Sequence, residues 1–202
     1  MIHVFKNDLP GDLRLDGDLA IDTETMGLNL RRDRLCLIQI NNGEQDSYLV
    51  KFDGKNYQAP NLKKLLTNTQ VVKIFHYARF DMAVISHYLD TKIANIFCTK
   101  IASKIIRTYS EYHGLKDLCR ELLGVSISKQ QQSSYWGSLS LSKDQEEYAA
   151  SDVIYLHKLK DVLSTMLKNE DRFDLAKQLF DFLPTRVELD IKGWSEVDIF
   201  AH

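Results

Sequence analysis

The sequence predicts an α/β fold, in which a small mixed sheet forms early in the chain and helices pack around it. Three observations carry that expectation. Short runs rich in Val, Ile, Leu, Tyr and Phe alternate with helical spacing through the first hundred residues. After residue 98 the pattern is almost wholly helical. No internal repeat or low-complexity tract interrupts either part.

Taken in order, strands are expected at 2–5, 18–24, 34–41, 47–52, 71–75 and 94–98. Their cores include LAIDTE, RLCLIQI, YLVKF and VVKIF, and turn chemistry at Met26-Gly27, Asn41-Asn42-Gly43 and Asp53-Gly54 separates them. Helices at 60–68 and 79–90 fall between strands, the first opened by Pro60 and Asn61. Further helices are expected at 99–107, 114–123, 142–168 and 171–183. Gly124 and the polar run SISKQQQSS at 126–134 mark a loop. Pro184 is expected to break the last helix and leave a tail containing Trp194 and Phe200. Residues 1–202 read as one domain, with its core over about 18–168 and a C-terminal helix and tail over 171–202.

Composition narrows the function classes. With 44% hydrophobic residues and three prolines, the chain has the makings of a substantial core. A formal charge of −2 lacks the basic surplus by which proteins grip long nucleic acid. The ligand is therefore not nucleic acid, or it is short, or bound metal supplies the positive charge. Cys36, Cys98 and Cys119 are odd in number and widely spaced, which fits a reducing compartment and neither a disulfide frame nor a zinc site. The N-terminal run MIHVFKNDLPGD lacks the pattern of a secretory signal, and no apolar stretch approaches a membrane span. The expectation is a cytoplasmic protein with no membrane partner.

Five residues concentrate the chemistry: Asp22, Glu24, Asp81, Tyr148 and Asp152. Asp22 and Glu24 stand two apart on a strand, so their carboxylates share one face, while Ile21 and Thr23 take the other. Asp81 opens a helix on the apolar stripe of Ala78, Met82, Ile85 and Leu89. Its first-turn position also suits a plain dipole role. Tyr148 and Asp152 stand four apart on a helix whose stripe continues through Leu156, Leu159 and Leu163. Burying such acids is costly without a compensating cation, and no Lys or Arg shares their stripes. Hard oxygen ligands without Cys or paired His favour Mg²⁺ or Mn²⁺, and several carboxylates around two such ions suit phosphodiester cleavage. A tyrosine one turn from an acid can hold the attacking water.

In this order, Asp-x-Glu on a strand, an Asp opening a helix, and Tyr-x-x-x-Asp resemble the DEDDy 3′–5′ exonucleases. IFHYARFDMAVI and QEEYAASDVIYLHKL resemble ribonuclease D. RTYSEYHGLKDLCRELLGVSISKQQQSSYWG and FLPTRVELDIKGWSEVDIFAH resemble the nanoRNase C group, whose members degrade dinucleotides. Tyr135 stands before Trp136 where that group often has Asp-Trp. The resemblance implies a ribonuclease H-like fold and a two-metal exoribonuclease acting on very short RNA, especially 5′-phosphorylated dinucleotides. Ribonuclease D-like trimming of longer or structured RNA, DNA exonuclease activity on short DNA, and a catalytically dead nucleic-acid-binding scaffold remain the alternatives.

The same resemblance implies roles. Asp22 would bridge two divalent ions, Mg²⁺ or Mn²⁺; Glu24 and Asp152 would complete the first site, Asp81 would hold the second, and Tyr148 would orient the water. Leu28 would wedge between bases, and Thr23 and His76 would contact substrate near the metals. Arg107 and the Lys129–Ser134 tract, including Gln132, Ser133 and Ser134, suit a terminal phosphate. Trp194 and Phe200 would dock on a neighbouring subunit of a homo-oligomer, an octamer by resemblance.

Overall fold

In the computed structural model, which describes residues 1–128 and 130–201, six strands form one mixed sheet. They are β1 (Ile2–Lys6), β2 (Leu19–Thr25), β3 (Leu35–Asn41), β4 (Ser47–Lys51), β5 (Lys73–Phe75) and β6 (Ile96–Cys98), in the order β1-β4-β3-β2-β5-β6. Strands β2, β3 and β4 pair antiparallel, while β1 joins β4, and β5 and β6 extend β2, in parallel. Each expected strand is present within two residues of its predicted ends. The central position of β2 matters most, because it carries Asp22 and Glu24.

The helices are α1 (Pro60–Thr67), α2 (Ala78–Leu89), α3 (Thr99–Ile106), α4 (Leu115–Leu123), α5 (Lys143–Ile154), α6 (Leu156–Asn169) and α7 (Phe173–Leu189). One face of the sheet turns Ile21, Ile38, Ile40 and Val50 into the main core, where Met82 and Ile85 of α2 meet them. On the other face Leu37 and Leu49 pack with Trp136, Ala149 and Tyr148, which seats α5.

Two helix expectations are corrected. The single helix over 142–168 is two helices that meet at Tyr155 (φ −95°, ψ −10°). Helix α5 packs on β2, β3 and β4, whereas α6 packs on α3 and α4, so the chain must change direction between them. Pro184 does not end α7, which runs on to Leu189 and then through a short π-helical turn at Asp190–Trp194. Leu183 and Val187 flank the proline and are both buried, so packing on either side offsets the one backbone hydrogen bond that proline cannot make. No helix among the described residues is long and apolar enough to cross a membrane.

Candidate active site

The site is built around the C-terminal end of β2. Asp22 and Glu24 follow one another on the face that α5 covers, and Asp152 reaches them from α5, one turn after Tyr148. Carboxylate oxygens of Asp22, Glu24 and Asp152 all lie within 4.8 Å of one another. Asp81 comes from the opposite side, in the first turn of α2, and is held by the Thr23 hydroxyl, which donates to Oδ1 at 2.6 Å. Both faces of β2 therefore serve the site: the even positions present their own acids, and Thr23 fixes the acid contributed by α2.

The electrostatics follow from that crowding. Desolvation raises the Asp22 carboxyl well above its usual range, and repulsion from Asp81, Asp152 and Glu24 raises it further. Desolvation and the charges of Asp152 and Asp81 do the same to Glu24. Burial pushes Asp81 up to about 7, against the opposing pull of the Thr23 hydroxyl. Among the described residues no lysine or arginine forms an ion pair with Asp22, Glu24 or Asp81. Polar support for Asp22 comes from the Thr23 backbone N–H and from the amide of buried Gln39, which donates to Oδ2 at 3.4 Å. Three oxygen donors converge on one point, and that donor set fits a hard divalent ion. Tyr148 is raised as well, by burial first and then by Asp152 and Glu24, so its phenol is neutral at physiological pH.

A cleft of about 600 Å³ opens over these acids. Leu28 stands at its mouth, 85% exposed, in the turn after β2. His76, at the end of β5, lines the cleft and shares a hydrogen bond with Thr99 (Nδ1 to Oγ1, 2.9 Å). Gln132, Ser133 and Ser134 form part of its wall, as does Thr23. Lys129 lies outside the described residues.

Arg107 is not brought to the cleft. It is fully buried at the end of α3, ion-paired with Glu121 and donating to the Tyr112 carbonyl at 2.7 Å and to Ser103 Oγ at 3.2 Å. The expectation that it meets a terminal phosphate is corrected: its two terminal nitrogens tie α3 to α4 and to the loop between them.

Lys100 and Lys116 line the cleft instead, and sequence reasoning missed both. Each is the second residue of its helix, where a cation opposes the helix dipole. That local conflict was the available signal. Lys100 Nζ also sits 4.2 Å from the ring centre of Tyr77, a cleft residue with a left-handed φ of 75° at the tight turn from β5 into α2.

Comparison with known proteins agrees with this geometry. The sequence profile described as 3′–5′ exonuclease matches residues 7–168. All of the chain superposes on 98% of Brucella melitensis NrnC bound to pGG, with a TM-score of 0.96 and 52% identity. The same Brucella protein with bound Mg²⁺ is matched over the same shares, at a TM-score of 0.95 and 51% identity. Ribonuclease D of Gluconacetobacter diazotrophicus is 30% identical over 162 residues, which are 80% of this chain and 41% of that protein. The chain spans about two fifths of the length of the ribonuclease D relatives it matches.

The acid cluster makes stability depend on pH and metal. Folded Asp81 keeps its proton to about pH 7, whereas an unfolded aspartate loses it near about 3.9. The folded chain without metal thus binds more protons across that window, and its stability falls as pH rises through it. A divalent cation favours the ionised acids and opposes the loss. Thermal unfolding at pH 5 and pH 8 should show Mg²⁺ or Mn²⁺ raising Tm chiefly at pH 8. Asp152→Ala should remove most of that rise; an undiminished rise would place the ion elsewhere.

Proposed function

The chain belongs to the 3′–5′ exonuclease family, and we propose that it is a diribonuclease of ribonuclease H-like fold. It hydrolyses very short RNA, especially 5′-phosphorylated dinucleotides, to mononucleotides. Residues 1–202 act as one exonuclease domain, with α7 and the tail as its C-terminal part. The observation that carries the reading is the cleft, which sets three convergent acids at its floor, Leu28 at its mouth and the polar Gln132–Ser134 wall within about 600 Å³. That size belongs to a small-ligand pocket rather than to a groove tracking a long strand. The likeness to a Brucella protein that binds pGG supports the same conclusion.

The roles follow from position. Asp22, Glu24 and Asp152 would hold one divalent ion, Mg²⁺ or Mn²⁺, and Asp81 would hold a second. When bound, such ions lower the pKa of a water and neutralise charge at the leaving oxygen. The neutral Tyr148 phenol orients the water beside Asp152. The water oxygen bonds to phosphorus while the bond to the 3′ oxygen of the preceding nucleotide breaks. That oxygen leaves with a proton, and a 5′-mononucleotide is released. Thr23 keeps Asp81 aimed, Leu28 separates the two bases, and His76 lines the path beside the metals. Ser133, Ser134 and Gln132, together with Lys129, receive the terminal phosphate.

The protein also forms a homo-oligomer, an octamer in the reading taken from its resemblance. Trp194, Val197, Ile199 and Phe200 of the tail remain exposed beside Leu175 and Phe182 of α7, an apolar surface that a second copy would cover. Light scattering of the purified protein should give a mass several times that of one chain; a monomer would overturn this part.

Dinucleotide, heptamer and twenty-mer RNA, with matching DNA, should be digested in parallel with Mg²⁺ and with Mn²⁺. The dinucleotide RNA should disappear fastest. Equal loss of the twenty-mer would favour ribonuclease D-like trimming, for which the 30% identity to ribonuclease D speaks, and equal loss of DNA would favour a DNA exonuclease. Asp152→Ala should abolish turnover. Tyr148→Phe should lower kcat by about a hundredfold or more with little change in KM; a change confined to KM would sink its role.

A further inference from the structure

The loop that carries Gln132–Ser134 and the helix that carries Tyr148 and Asp152 are joined by one buried side chain. Gln145 lies at the third position of α5, on the same helical stripe as Tyr148 and Asp152, and is only 8% exposed. Its Oε1 accepts from the Ser142 backbone N–H at 3.0 Å, while the Ser142 hydroxyl accepts from the Gln145 N–H at 3.2 Å. This is a capping box, and it satisfies two donors at the start of the helix. A glutamate would complete that box equally well. The amide nitrogen reaches away from the cap, and Nε2 donates to Ser134 Oγ at 2.9 Å and to the Tyr135 carbonyl at 3.3 Å. The orientation is dictated, since a flipped amide would set its N–H groups against the Ser142 N–H.

Beyond Tyr135 the loop is pinned to the sheet. Buried Lys51 donates from Nζ to the Trp136 carbonyl at 3.1 Å, and Arg34 Nη2 donates to the Gly137 carbonyl at 2.9 Å. Gly137 passes close to Met26 and Tyr135: a Cβ there would lie 2.5 Å from Met26 Sδ and 2.8 Å from the Tyr135 ring. Trp136 is buried with its ring centre 6.1 Å from that of Tyr148. On the cleft side of this anchor, among the described residues, Gln145 supplies two hydrogen bonds that tie segment 130–135 to α5, beside a local bond from the Gln130 N–H to Ser128 Oγ.

We infer that Gln145 is a positioning residue that sets the separation between the Gln132–Ser134 wall and the Tyr148–Asp152 face, and so sets the length of substrate the cleft accepts. The inference rests on the diribonuclease reading of the site. A wall tethered to the catalytic helix holds the 5′ phosphate at one distance from the scissile bond. A loosened wall gives up that distance while leaving the acids in place. Gln145 thus governs selectivity between two nucleotides and several, and acts on KM more than on kcat.

The test compares the wild-type chain with Gln145→Met, which keeps the side chain's length but none of its three hydrogen bonds, and Ser142→Ala, which weakens the same cap but leaves the tether. Each is assayed on 5′-phosphorylated dinucleotide and heptamer RNA with Mg²⁺, and amide exchange is followed across 130–137. In Gln145→Met, KM for the dinucleotide should rise about tenfold with kcat within about threefold, the scale of a lost buried polar interaction. Its preference for dinucleotide over heptamer should shrink, and exchange in 130–137 should quicken. Ser142→Ala should match the wild type in both respects. Wild-type selectivity retained in Gln145→Met, or equal losses in both variants, would overturn the tether. If the wild type itself shows no dinucleotide preference, the substrate reading fails separately. Amide exchange then decides the tether: faster exchange in Gln145→Met alone upholds it, and unchanged exchange overturns it.

Discussion

Mutual repulsion among the carboxylates at the end of β2 governs how this protein is built. Asp22, Glu24 and Asp152 converge to within 4.8 Å, and Asp81 adds to the field that raises the first two. Left to itself such a cluster destabilises the fold, because each acid loses hydration and gains like-charged neighbours. The apolar scaffold must hold the acids together against that force. Strand β2 lies inside the sheet, with β3 paired along both acids and β5 paired at Leu19 and Ala20 just before them.

The scaffold meets this demand from both sides of the sheet. Helix α5 is seated on Leu37 and Leu49 and brings Tyr148 and Asp152 down on the acid face. Helix α2 is packed on the opposite core and brings Asp81 around the strand end, where Thr23 takes hold of it. Two buried cations are engaged away from the cluster. Arg107 is enclosed with Glu121, and Lys51 is spent on backbone carbonyls, including that of Trp136. Lys100 and Lys116 remain in the cleft, where an anionic substrate can use them. The cleft is thus lined by negative charge from β2, α2 and α5 and by positive charge from α3 and α4.

Much of this could be read from the chain. Period-two spacing placed Asp22 and Glu24 together, and period-3.6 spacing placed Tyr148 with Asp152, because both rules are local and need no knowledge of the fold. The strand positions were legible for the same reason. Helix ends were less so. Pro184 is a strong local signal, and the burial of Leu183 and Val187, a tertiary effect, overrides it. The division of α5 from α6 was hidden because the apolar stripe runs through Tyr155 without a break, while the partners it packs on change there.

Local pattern alone was enough to say which side chains could do the chemistry and which pairs share a face, since strand and helix periods are properties of the backbone. Which of the remaining polar residues line the cleft was decided by packing in three dimensions. Arg107 and Lys100 look alike as letters near the same helix, yet one is sealed against Glu121 and the other faces the cleft. Thr23 and Gln145 read as an ordinary strand residue and an ordinary helix cap. Their second partners, Asp81 and Ser134, lie 58 and 11 residues away. Contacts between separate elements carry no periodic signature, so the roles they confer emerge only when the sheet and its helices close around the acids.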